Sequence, residues 1–242
     1  MLESELSEFV SAGFLITREV TRPAYSSPTL LPDRILSASN CIAPFIPDTW
    51  CIDWTQDTPE NRLEDAKAFE LDASGLATAT AWATQHFGAR IGWPNVIMDL
   101  PSAQELVALV LSHLPDVKVL ELALHRTMTA DFCRAAEPSP PQPGFAPAGR
   151  QGIHEAIRTQ TAPTPGGNIL GFEPLVFDHA LSCSWLCNGL DTVVEQALGI
   201  RPNQQGLMDT FDQARTCVEY ISRDQVGAEP GLWLPWLMID HS

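Results

Sequence analysis

The sequence predicts a single α+β domain over 1–242, with a mixed β-sheet flanked by helices and a long Pro/Gly-rich excursion at 137–168. Three observations predict it. A hydrophobic fraction of 45%, with seven Trp and ten Phe, gives a chain of 242 residues enough apolar surface for a substantial core. Strand-like apolar runs are interspersed with helix-like amphipathic ones along the chain. Between them, NVIMDL, SAQELVALVLSHL and VKVLELALHR have the order and length of a strand–helix–strand unit, which predicts a partly parallel sheet.

The individual elements follow in order. Leu2, Leu6, Phe9 and Val10 recur at helical spacing and predict an opening amphipathic helix. GFLITREVTRP reads as a strand ended by Pro23, and residues 23–60 as short strands and tight connections, with WCIDW a buried strand. DTPENRLEDAKAFELD predicts a helix capped by Asp57 or Thr58, with Pro59 in its first turn. GLATATAWATQHFG predicts a second, stopped by Gly88. Pro101 marks the end of the NVIMDL strand, and Ser102 with Glu105 forms a capping box for the helix after it. Residues 137–168 are dominated by Pro and Gly, apart from a short helix in HEAIRTQ, and read as a loop or linker. NILGFEPLVFD then reads as a strand, LDTVVEQALGI as a helix closed by Gly199, and LMDTFDQARTCVEYISRD as an amphipathic helix. EPGLWLPWLMID completes the core as a strand. No internal repeat is present.

Charge bounds the partners. Thirty Asp plus Glu oppose 14 Lys plus Arg, a formal net charge of −16, and only Lys67 and Lys118 are lysines. Such a surface repels nucleic acid and anionic membranes and draws cationic partners towards it. The N-terminal MLESELSEFVSAGFL carries acids where a signal peptide needs a basic region, and no run reaches the roughly 20 apolar residues of a membrane span. The expectation is a cytoplasmic protein, with its six cysteines reduced.

HALSCSWLCNGLD is the stretch that most resembles chemistry. On a helix, His179, Cys183 and Cys187 share one face. As metal ligands they are three residues from one element, where a structural zinc takes four, and no second Cys pair lies nearby; His154 and Cys217 complete a set only if the fold brings them in. As nucleophile and base, His179 and Cys183 lack a cationic neighbour, and Asp178 opposes thiolate formation. The preferred reading is a core helix with Cys183, Leu186, Cys187 and Leu190 facing inward. No catalytic residue, cofactor or metal site is predicted. G-x-S-x-G, G-x-x-x-x-G-K-[ST] and H-E-x-x-H are absent, and His86, His113, His125 and His241 are scattered.

The acidic run Asp53–Asp72 offers a partner-binding face through Asp57, Glu60, Glu64, Asp65, Glu70 and Asp72, with any exposed Trp50, Trp54, Trp82 or Trp93 as aromatic anchors.

In the C-terminal third, GFEPLVFDHALSCSWLCNGLDTVVEQALGIRPNQQGLMDTFDQA and GAEPGLWLPWLMID resemble a group of small bacterial proteins that accompany secreted polymorphic toxins. The resemblance implies an immunity role: a non-catalytic protein that binds a cognate, basic toxin domain and occludes its active-site cleft. Two alternatives stand beside it. One is a cysteine- or metal-dependent hydrolase using His179 and Cys183. The other is an adaptor or structural subunit with the Pro-rich excursion as its docking strap.

Overall fold

The computed structural model describes residues 3–43, 66–86, 89–92, 96–135, 152–178, 181–223 and 226–242. Their frame is a seven-stranded sheet made of β1 (Phe9–Arg18), β4 (Ile91–Gly92), β5 (Val96–Ile97), β6 (Val117–His125), β7 (Asn168–Asp178), β8 (Leu181–Ser184) and β9 (Trp233–Asp240), in the spatial order β4-β5-β1-β6-β9-β7-β8. A two-stranded ribbon joins β2 (Val20–Thr21) to β3 (Arg34–Ile35). The helices are α1 (Glu3–Leu6), α2 (Ala73–His86), α3 (Leu100–Val110), α4 (Thr129–Ala135), α5 (Ile153–Thr159), α6 (Asp191–Leu198) and α7 (Phe211–Ile221). The α+β class is as the sequence predicts.

Every ladder of the described sheet is antiparallel, which corrects the mixed sheet. The strand–helix–strand unit β5–α3–β6 does form. Its two strands run in the same direction but do not touch, because β1 lies between them and pairs with each. The cause is in β1, a ten-residue strand apolar on both faces that can only be satisfied at the centre of a sheet.

Cross-strand partners share a face, so the register sorts the core. The row Phe14–Glu121–Ile239 marks one face. There Phe14, Ile16 and Val119 pack under Trp82 of α2 and Ala103 and Leu106 of α3. Farther along that face, Phe172, Leu237 and Ile239 pack under Ala214, Cys217 and Val218 of α7. On the other face, Leu122, Leu124, Trp236 and Met238 meet Phe132 of α4 and Ile153 and Ile157 of α5. With both faces covered, β6 is buried almost continuously instead of alternating.

Several local expectations change. The opening helix is only α1, and Phe9 and Val10 belong to β1, since two apolar faces outweigh a marginal one-turn helix. The cap of α3 is Asp99, whose carboxylate accepts from the Ser102 N–H at 2.8 Å and the Ser102 hydroxyl at 2.7 Å; Pro101 sits in the helix's first turn. Glu105 instead takes the Trp82 indole N–H at 2.8 Å and the Arg90 guanidinium at 2.5 Å. These contacts, Arg90 first, hold its carboxyl down to about 2. The cap of α7 is Thr210, in a reciprocal capping box with Gln213, and α6 ends at a left-handed Gly199. WCIDW lies outside the described residues, as does 136–151. The remainder of the Pro/Gly-rich segment carries α5, with Ile153 and Ile157 fully buried.

Gly13 sits at a bulge in β1 with φ +100°, and a Cβ there would lie 2.1 Å from Val96 Cγ1 and 2.8 Å from the Ile97 carbonyl. Gly13→Ala is therefore expected to cost about 3 kcal/mol or more in denaturant unfolding. Gly199→Ala, at φ +68° with open space around it, is expected to cost about 1 kcal/mol.

Candidate functional site

The segment that holds the cysteines is not a helix. Leu181–Ser184 is the edge strand β8, residues 185–189 turn, and α6 begins only at Asp191. Ser184 forces the change: its hydroxyl accepts from the Leu186 N–H at 3.1 Å and its carbonyl from the Cys187 N–H at 2.9 Å, closing a turn that competes with helix. Leu186 and Leu190 go into the core as expected and Trp185 joins them, while Cys183 and Cys187 stay half-buried against the expectation. Residue 179 lies outside the described residues.

An edge strand exposes unpaired backbone groups, and here residues 37–40 cover them. The Ser182 N–H donates to Asn40 Oδ1 at 2.9 Å, and the Ser39 hydroxyl donates to the Ser182 carbonyl at 2.5 Å. In return, the Ser182 hydroxyl donates to the Ala38 carbonyl at 2.8 Å and accepts from the Asn40 N–H at 3.1 Å. Side chains thus replace a ladder.

The segment itself hangs on Glu173 of β7, which is fully buried. Its Oε1 accepts from the Ser37 hydroxyl at 2.7 Å and its Oε2 from the Ala38 N–H at 2.7 Å, with the Ser184 hydroxyl a third donor. The donors favour the carboxylate, but burial outweighs them and pushes the carboxyl up from its ordinary value.

This scaffold brings three thiols together. Cys41, exposed, places its Sγ 3.6 Å from Cys183 Sγ. Cys187 Sγ receives the Ser184 N–H at 3.2 Å and lies 3.1 Å from Ser39 Oγ. The single Ser39 proton is already on the Ser182 carbonyl, so the Cys187 S–H is the donor that Ser39 Oγ and Cys41 share. Hydrogen bonding by Cys187, then Cys183, lowers the Cys41 thiol to about 6 against the opposing effect of burial. The same contact, reinforced by burial, pushes the Cys187 thiol far up. Tyr25 lies beside them, 63% exposed, with its ring against Gly189.

Among the described residues, no group of three or more His, Cys, Asp or Glu side chains is arranged to hold a metal ion. Cys217 is buried on the inner face of α7, its thiol pushed to about 12 by desolvation, and His154 contacts the Cys133 carbonyl at 3.3 Å. Neither joins the cysteines of β8 in a ligand set. Of the predicted docking acids, Asp57, Glu60, Glu64 and Asp65 lie outside the described residues. Glu70 is exposed and 3.4 Å from Arg18, while Asp72 accepts the Gly75 N–H at 2.8 Å and is thus occupied at the start of α2. Trp82 is buried and is not an anchor; Trp50, Trp54 and Trp93 lie outside the described residues.

Sequence reasoning missed Cys41 and Glu173. The available signal for Glu173 was a lone carboxylate inside the apolar run GFEPLVF; for the loop it was the paired small hydroxyls of SASN and SCS. No protein-family model, curated protein or solved structure matches the chain.

Glu173→Gln is expected to keep the fold, with the amide oxygen on the Ala38 N–H and the amide nitrogen turned to Ser37. Glu173→Ala leaves those donors unpaired beside a cavity and is expected to lose about 3 kcal/mol. The sign of the pH effect follows from the raised carboxyl. The folded state keeps a proton that the unfolded chain loses above about 4.5, so this group's contribution is full at lower pH and declines as pH rises through the folded value. Unfolding titrations between pH 4 and 8, compared between wild type and Glu173→Gln, should show a shallower decline in the variant.

Proposed function

We propose that this chain is a non-catalytic immunity protein whose acidic surface binds a basic toxin domain and occludes its active-site cleft. The observation that carries the reading is where the charge sits. Among the described carboxylate side chains, only Glu121, Glu173 and Asp191 are buried, so the excess behind the net charge of −16 lies largely at or near the surface. A sheet covered on both faces makes a rigid platform for that charge, and complementary charge accelerates encounter with a cationic cleft. No described helix is long and apolar enough to cross a membrane.

The hydrolase alternative has one observation in its favour, an exposed thiol held near 6, but that thiol is Cys41 and not the Cys183 of the original pairing. Its support is for thiol chemistry, without assigning a hydrolytic base.

The test is co-expression with the protein encoded beside it. A neighbour that arrests growth alone, is neutralised by this chain and co-purifies with it is the expected result. Association of that complex should slow by roughly tenfold between low and high salt. A harmless neighbour, or the absence of a complex, overturns the reading and favours an adaptor role.

A further inference from the structure

We propose that Cys41 and Cys183 form a peroxide-sensitive dithiol, in which a hydroperoxide oxidises Cys41 and Cys183 resolves the product as an intramolecular disulfide. This goes beyond the docking role and does not depend on it.

The geometry carries it. The two sulfurs are 3.6 Å apart although they lie 142 residues apart in sequence. Closing to a bond of about 2.05 Å needs a relative movement of about 1.5 Å, within reach of side-chain rotation. The backbone on either side is held in register by Ser39 and Asn40 on Ser182, so the approach is built into the fold. Cys41 is exposed, which gives a small peroxide access, and Cys183 is half-buried behind it, where the second step is intramolecular. The third thiol has a different place. Cys187 is held by the Ser184 N–H and shares its proton between Ser39 Oγ and Cys41, so it supports the Cys41 thiolate and remains protonated itself.

The chemistry closes. The Cys41 thiolate attacks one oxygen of the hydroperoxide; the S–O bond forms, the O–O bond breaks, and the leaving oxygen takes a proton as alcohol or water. The Cys183 sulfur then attacks the Cys41 sulfenic acid; the S–S bond forms, the S–O bond breaks, and hydroxide leaves with the Cys183 proton as water. Overall, two thiols are oxidised and one peroxide is reduced. The product fastens the covering loop covalently to the β8 edge.

The experiment treats the purified full chain with stoichiometric hydrogen peroxide and maps linked peptides by mass spectrometry, with alkylation of Cys41 followed against pH. The expected result is a Cys41–Cys183 linkage reversed by dithiothreitol, and an alkylation midpoint near 6 for Cys41. In Cys183→Ser, Cys41 should instead accumulate as a sulfenic acid trapped by a β-diketone. In Cys41→Ser, peroxide consumption should fall at least tenfold. Linkage of Cys41 to Cys187 or Cys51, or oxidation of Cys41 to sulfinic acid in the wild type without a disulfide, overturns the proposal.

Discussion

A buried carboxylate accepting the backbone N–H of a distant loop is the interaction on which this molecule depends, and among the described residues it is used three times. Glu173 takes the Ala38 N–H at 2.7 Å, Glu121 takes the Thr164 N–H at 3.0 Å, and Asp191 takes the Ser27 N–H at 2.7 Å. Each acid sits on a regular element, and each loop is irregular. A chain with 20 prolines cannot satisfy all its connections with ladders, because proline removes donors and breaks regular geometry. A carboxylate offers several lone pairs at one point and can gather donors from an irregular backbone. The cost is desolvation, and at both glutamates it is large enough to push the carboxyl up.

The two glutamates divide the work between faces. Glu121 lies on the face of α2, α3 and α7, between the cluster around Phe14 and the one around Phe172, where it also meets the Ser11 hydroxyl at 2.5 Å and His241 Nε2 at 2.9 Å. Glu173 lies on the opposite face, opposite Trp236, and secures the loop that carries Cys41. The candidate site is thus a consequence of how the edge of the sheet is closed. The same hydroxyls and amide that cover β8 bring the thiols together. Pro174 fits this plan: its carbonyl accepts from the Trp185 N–H at 3.1 Å, so its missing donor faces the end of the β8 pairing and interrupts nothing between β7 and β9.

The long elements were legible because their signals are local. Asn168–Asp178, Trp233–Asp240, the helix ending at Gly199 and the helix Phe211–Ile221 all follow from apolar pattern and end residues. What was not legible depends on contacts far along the chain. The insertion of β1 between β5 and β6 leaves no mark near 96–125, so a split unit reads like an adjacent parallel pair. The cysteines misled for a related reason. Four-residue spacing implied a helical face, whereas the relevant neighbour of Cys183 is Cys41, placed there by Glu173 and Ser182.

Native-state hydrogen exchange at the amides of Ala38, Thr164 and Ser27 tests the central claim most directly. If buried carboxylates tie these loops to the core, all three exchange only through global unfolding, with protection matching that of Leu237 in β9. Exchange at rates typical of surface loops, while Leu237 stays protected, would show that the loops open independently and contradict the account.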